Sequence, residues 1–255
     1  MILWLDGPHD VRENMRRDGA LLGAAHADAA REPVLRLYRF APPGITLGHA
    51  QDPEIVLDLA RCDRDGVTWA VRPTGGRAIF HDQEVTYAFA APLAHRDGTG
   101  SIAETYARLS SLIVRSLARL GVPASLAPGV RGARPGSAAG CFASTARHEI
   151  VIGDRKLAGS AQRRTARALL QQGSVLLGAS HLRLADYLAA PPARREAFRA
   201  ALESSAAHAG AWLDPAAPLE RWAEALVAEL PPGTRLVEGA AALVLVESAP
   251  VPAFG

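Results

Sequence analysis

Residues 71–93, VRPTGGRAIFHDQEVTYAFAAPL, constrain the fold more than any other part of this chain. They set two adjacent glycines, Gly75 and Gly76, between a hydrophobic run over 67–71 and an alternating, strand-like stretch over 85–91. The glycine pair therefore falls in a loop between strands, where it permits positive φ and lets a ligand approach backbone N–H groups without meeting a Cβ. Arg72 and Arg77 bring positive charge to the same loop, and His81 closes a short apolar run after it. Taken alone, Thr74-Gly75-Gly76 is an ordinary turn with solvated arginines. Its flanks argue for more.

Periodicity organises the rest. Residues 2–5 read as a first strand, and 11–30 as a helix that turns Leu21, Leu22 and Ala25 inward. Short strands follow at 34–40 and 45–48, and 54–64 reads as a helix carrying Cys62 in the core. Between 101 and 120, Tyr106, Leu109, Ile113, Leu117 and Leu120 recur every three or four residues, which predicts an amphipathic helix. Gly153-Asp154 reads as a tight turn joining strands at 148–152 and 155–161, with a further strand at 168–177. Ala/Glu/Arg-rich stretches at 195–209 and 218–230 predict helices, and the Pro/Ala-rich tail beyond 248 is expected to be disordered. Strands and helices without βαβ regularity indicate an α+β domain. A chain of 255 residues can bury one substantial core, and nothing requires a second.

The signature RPTGGRAIFHDQEVTYAFA resembles that of the biotin/lipoate protein ligase and octanoyltransferase superfamily, over some twenty consecutive positions. Further likeness lies in Asn14-Met15 with Asp18, in LRLYRFAPPGITLGHAQ from Leu35, and in GDRKLAGSAQRRTARALLQQGSVLL from Gly153. The resemblance implies one catalytic domain, a mixed β-sheet flanked by helices, with its core in 1–190, an extension of the same domain in 191–248, and a disordered tail in 249–255. It also implies a substrate site formed by Arg72, Thr74, Gly75, Gly76, Arg77 and His81 with Gly159, Ser160 and Ala161. Within the superfamily, Cys141-Phe142 with Lys156 fifteen residues on is similar to the octanoyltransferases of the Gram-positive type. Lipoate-protein ligases generally lack that cysteine, and the better-known octanoyltransferases place theirs after the lysine.

Those two residues suit the implied chemistry. A thiol with a pKa near 8.5 is only a few per cent thiolate at pH 7, and the thiolate is the nucleophile. A neighbouring ammonium favours it. The small, turn-forming residues 133–140 put Cys141 after a loop rather than in a packed helix. Lys156 is the single lysine, every other fixed cation being an arginine, so its retention points to a compact ammonium able to approach a thioester carbonyl. The resemblance then implies that Cys141 takes an octanoyl group from acyl carrier protein and passes it to a lysine of a lipoyl-domain protein, such as a glycine cleavage H protein or a 2-oxoacid dehydrogenase E2 subunit. Ligation of lipoate with ATP, amidotransfer between lipoyl domains, and a catalytically silent acyl-binding adaptor are the alternatives. No cofactor is expected, because a thioester already carries the activation, and His148 has no second ligand at metal spacing. His81 is expected to touch ligand or support the loop, with general-base chemistry as the lesser reading.

Charge is nearly balanced, 28 basic against 26 acidic residues for a formal +2, and interspersed, which argues against a nucleic-acid surface. Arg163, Arg164 and Arg167 are a candidate face for an acidic protein partner or a solvated strand end. A nucleophilic cysteine requires a reducing compartment, no window approaches a membrane span, and the first residues are no signal peptide, so the expected location is cytoplasmic.

Overall fold

The structure, a computed structural model, describes residues 1–128, 149–213 and 216–247. The chain begins with β1 (Ile2–His9), whose Ile2, Leu3 and Trp4 are buried, and enters α1 (Val11–Ala27) through Asp10, which accepts from the N–H groups of Arg12 and Glu13. It continues through β2 (Val34–Phe40), β3 (Gly44–Leu47), the short helices α2 (Pro53–Val56) and α3 (Leu59–Arg64), β4 (Thr68–Val71), β5 (Ile79–His81) and β6 (Glu84–Pro92). Next come α4 (Ile102–Arg119), β7 (Ser125–Leu126), β8 (Ile150–Ile152), β9 (Arg155–Arg164) and β10 (Ala168–Leu176). After a 3-10 segment, Ala179–Tyr187, the chain adds α5 (Pro192–Ser205), α6 (Pro218–Val227), β11 (Arg235–Glu238) and α7 (Val244–Glu247).

Eight strands form one mixed sheet in the order β11-β1-β2-β6-β10-β9-β8-β7, parallel across β11, β1 and β2 and antiparallel beyond. Alternation sends Val85, Tyr87 and Phe89 of β6 to one face, against Leu109, Ile113 and Leu117 of α4 and Trp222 and Leu226 of α6. Ala88 and Ala90 of the same strand face α1, where Leu21, Leu22 and Ala25 pack. Helices thus cover both faces, as the α+β expectation required. The predicted amphipathic helix is α4, closed at its start by a capping box between Ser101 and Glu104. Segment 191–248 supplies β11 at the sheet edge and Trp222 in the core. The expected tail, 249–255, lies outside the described residues.

A second sheet, β4-β3-β5, packs on the 3-10 segment and α3 through Ile45, Leu47, Phe80, Cys62, Leu184 and Tyr187. Here the sequence reading needs correction. The helix expected over 54–64 is two helices, because Leu57 is extended and bridged to Leu188 while Asp58 starts a new turn and accepts from the Arg61 N–H. The Asp58 N–H itself donates to the Tyr187 carbonyl. Tertiary pairing overrides an otherwise helical pattern. Cys62 is fully buried as expected, and burial pushes its thiol up, with Asp58 and Asp63 adding to the shift.

Between α1 and the large sheet lies a buried ionic cluster. Arg36 of β2 is fully buried and reaches Asp6 at 2.7 Å, Asp18 at 2.6 Å and Asn14 Oδ1 at 2.6 Å. Its guanidinium stacks over Tyr38 at 3.9 Å, and the Tyr38 hydroxyl donates to Asp18 at 2.7 Å. Arg17 donates to Asp6 at 2.5 Å, giving two arginines against two aspartates. Removing one partner of a buried pair strands a charge. Arg36→Met should therefore lose about 3–5 kcal/mol of unfolding free energy in urea denaturation; a loss under about 1 kcal/mol would show that the cluster is not a structural keystone.

Candidate active site

The glycine-rich loop is organised from within by Arg72. Its guanidinium donates to the carbonyls of Gly75 (2.7 Å) and Arg77 (2.9 Å) and to Thr46 Oγ1 (3.2 Å). Gly76 sits at φ +97°, and a Cβ there would lie 2.6 Å from Arg72 Nη2. A Cβ on Gly48 would meet the Gly76 carbonyl oxygen at 2.0 Å. The glycine at 76 thus answers to backbone geometry and to the arginine clamp. Thr74 pins the loop to the main sheet by donating to Gln172 Oε1 at 2.7 Å, and Arg163 adds a bond to the Pro73 carbonyl at 3.0 Å.

His81 continues the chain of bonds. Its Nε2 lies 2.7 Å from Thr46 Oγ1 and its Nδ1 2.6 Å from Glu84 Oε1, with the ring stacked 4.0 Å from Phe40. Arg72 also donates to the Thr46 oxygen, so this hydroxyl joins the guanidinium to the imidazole. Both nitrogens are engaged. This geometry suits loop support better than general-base work. Glu84 also accepts from Thr86 (2.7 Å) and Ser174 (2.9 Å).

These elements border a cleft between α1, β2, the small sheet and the middle of β9 and β10. Of the residues singled out in the sequence, Arg72, Thr74, His81, Gly159, Ser160 and Ala161 line it. Gly75 and Gly76 are not on its surface, and Arg77 lines a separate apolar groove with Val56, Leu188 and Phe198. Sequence reasoning missed Met15, Tyr38, Phe40, Thr46, Ile79, Gln172 and Ser174, which join the lining from distant segments. Many of these are polar, yet their hydroxyls and amides are spent on one another: Thr46 on His81, Thr74 on Gln172, Ser174 on Glu84, Ser160 on Tyr87 (2.9 Å). A polar wall satisfied internally presents carbon to its contents and accepts an alkyl chain without stranding donors.

Lys156 stands on β9 three residues before Gly159. It is no solvated turn lysine: the residue is 2% exposed, and Nζ donates to Glu149 Oε1 at 2.5 Å. The turn forms as expected, with Gly153 at φ +63° and Ile152 paired to Arg155. The segment after α5 covers Lys156, the Ala207 N–H donating to its carbonyl at 2.9 Å. There His181 and His208 pack with ring centroids 5.5 Å apart. Burial holds His208 below the usual imidazole range, helped by Arg155, and burial with His208 beside it takes His181 down to about 4. Cys141, His148 and the loop 133–140 lie outside the described residues. Among the described residues, no cluster of three or more His, Cys, Asp or Glu side chains is placed to hold a metal. Of the three-arginine face, Arg164 is committed to the Gly100 carbonyl (2.7 Å) and Thr105 (2.9 Å), and Arg163 to Pro73, which leaves Arg167 as its exposed member.

Residues 10–231 match the lipoyl protein ligase A/B catalytic domain. The chain belongs to this family. Within it, the chain is 37% identical over 239 residues to octanoyltransferase LipM of Kyrpidia tusciae, covering 88% of this chain and 86% of that protein. It is 40% identical over 172 residues to octanoyltransferase LipM of Moorella thermoacetica, covering 67% of this chain and 63% of that one. Among solved structures, the lipoyl ligase fold recurs in a lipoate-protein ligase A bound with ATP (TM-score 0.70, 21% identity, 96% and 92% of the two chains) and in a bipartite lipoate protein ligase from Thermoplasma acidophilum (0.71, 20%, 96% and 90%).

The lowered His181 predicts an acid sensitivity. In the unfolded chain this histidine takes a proton near pH 6.5, and in the fold only near 4, so the unfolded state binds more protons between those values. Stability should fall as pH drops from 6.5 to 4, by about 2–3 kcal/mol from this group. In thermal or urea melts across that window, His181→Gln should show a shallower slope; an unchanged slope would remove His181 as the source.

Proposed function

We propose that this family member is an octanoyltransferase that moves an octanoyl group from acyl carrier protein to a lysine of a lipoyl-domain protein through a thioester on Cys141. The observation that supports it most is Lys156: the single lysine of the chain is buried, held by a carboxylate, and set on the strand whose next turn of residues, Gly159–Ala161, lines an alkyl-compatible cleft. The curated relatives named octanoyltransferase point to the same reaction.

The chemistry balances without a cofactor. The Cys141 thiolate attacks the carbonyl of the donor thioester, a carbon–sulfur bond to Cys141 forms, and the bond to the carrier breaks with the thiolate of the carrier leaving. The acceptor amine then attacks the Cys141 thioester, the amide forms, and Cys141 departs as a thiolate that takes up the proton lost by the amine. In both steps an oxyanion develops, and an ammonium hydrogen bond to it is the contribution assigned to Lys156. The self-satisfied cleft holds the octanoyl tail, and Arg72 and His81 keep its walls in place. No helix among the described residues is long and apolar enough to cross a membrane, and a free nucleophilic thiol fits a reducing cytoplasm. The exposed Arg167 is a candidate contact for acidic carrier or lipoyl domains.

Mass spectrometry checks the covalent step. The protein mixed with octanoyl-acyl carrier protein should gain one octanoyl mass, lost to hydroxylamine, absent in Cys141→Ala and kept in Cys62→Ala, because Cys62 is buried with its thiol pushed up. Transfer onward to an apo lipoyl domain should need neither ATP nor magnesium; modification only with free lipoate and ATP would make the chain a ligase.

Kinetics check the lysine. Lys156→Ala should cut transfer about a hundredfold or more, the usual effect of losing one oxyanion donor. Lys156→Arg should restore little, since a planar guanidinium does not fit the site of a compact ammonium. Wild-type transfer in Lys156→Ala would reduce the residue to a structural one.

A further inference from the structure

We infer that Glu149 is a positioning residue for acyl transfer, acting through Lys156 by keeping its amine charged and aimed inside a buried site. This rests on the acyl-transfer reading above. The two side chains are 2% and 8% exposed and meet at 2.5 Å. Their backbones are locked on both sides: Glu149 immediately precedes β8, its carbonyl accepts from the Ala127 N–H at 2.8 Å, and Lys156 lies opposite Val151 in the β8–β9 ladder. The carboxylate therefore approaches the ammonium from a fixed direction.

Burial makes a carboxylate partner necessary. An ammonium taken out of water favours its neutral amine unless an opposite charge stands nearby. Three other titratable groups on the described elements around Lys156 do not meet that need. Arg155, next to it on β9, carries the same charge. His208, in the segment covering Lys156, and His181, against His208, are both held below the usual imidazole range and are neutral at pH 7. Glu149 is the group of the right sign. The pair as a whole has no net charge, so its effect on a thiolate is weaker than that of a lone cation. What it preserves is a directed N–H donor: an ammonium carries three, and bonding one to Glu149 fixes the axis about which the others point.

Glu149→Gln keeps the shape and removes the charge. Its rate of octanoyl transfer should fall at pH 7 and fall further with rising pH, about tenfold per unit once the neutral amine dominates, with partial recovery toward acid. The loss should appear in kcat, with KM for octanoyl-acyl carrier protein unchanged. Glu149→Asp should keep the pH profile of the wild type. In a Lys156→Gln background, Glu149→Gln should add no further loss, because its only route of action is gone. A drop in Glu149→Gln that is equal at every pH, or that persists undiminished in the Lys156→Gln background, would mark a structural contribution and overturn the inference. A wild-type profile in Glu149→Gln would overturn it as well. Formation of the octanoyl adduct on wild-type Cys141 is scored in parallel. Its absence counts against the acyl-transfer reading itself, whereas adduct formation with an indifferent Glu149→Gln counts against the positioning role alone.

Discussion

The ion cluster around Arg36 is the contact on which the rest of the site hangs. Two arginines and two aspartates are removed from water together, an arrangement made tolerable by the charge pairs and hydrogen bonds among them. Asp18 accepts from Arg36, from Tyr38 and from Gln172 at 2.6 Å, so α1, β2 and β10 are tied at one carboxylate. From Gln172 the bonding passes to Thr74 and its loop, where Arg72 clamps the carbonyls and reaches Thr46, and on to His81 and Glu84. Helix α1 and strand β6 are linked through polar contacts, several of whose members, Gln172, Thr74, Arg72, Thr46 and His81, line the cleft. In a low-dielectric interior such chains are strong when complete and costly when broken.

That network accounts for a contradiction in the cleft, whose lining is rich in hydroxyls and amides although its proposed cargo is a hydrocarbon chain. A purely apolar lining would also admit the chain, but it would not hold a glycine loop, a three-stranded sheet and a helix in register. Polar groups bonded to each other do both. They fix the walls, and having no donor to spare they leave methyl and methylene carbon toward the interior.

In the acyl-transfer reading proposed above, strand β9 joins binding to chemistry. Its Gly159 and Ala161 are small enough to leave room for the cleft, while Lys156 at its start is sealed in by Glu149 and the segment after α5. A rigid strand sets the distance between the two, which a loop would leave variable. The cations of the chain divide accordingly: arginine serves where several carbonyls or carboxylates are bridged, as at Arg36 and Arg72, and lysine where a compact charge is needed.

The elements legible in the sequence are those carried by local pattern. The apolar repeat of α4, its Ser101–Glu104 cap, the strands at 34–40 and 168–176 and the Gly153 turn follow from spacing alone, because their geometry depends on neighbours within one turn or one strand. The family likeness rested on such local runs too; of the residues it pointed to, Arg72, Thr74, His81, Gly159, Ser160 and Ala161 line the cleft, and Gly75, Gly76 and Arg77 do not. What no spacing encodes is which distant side chains meet. Arg77 is one residue from Gly76, yet it lines another groove. Leu57 breaks a helix because Leu188 pairs with it across the fold. Gln172 and Asp18, 154 residues apart, share a proton only when β10 is laid beside α1. Glu149 falls in sequence within the strand expected over 148–152, and Lys156 in the one that follows the Gly153 turn. Only packing brings them into contact away from water, because the pairing and the dielectric around it are properties of the packed whole.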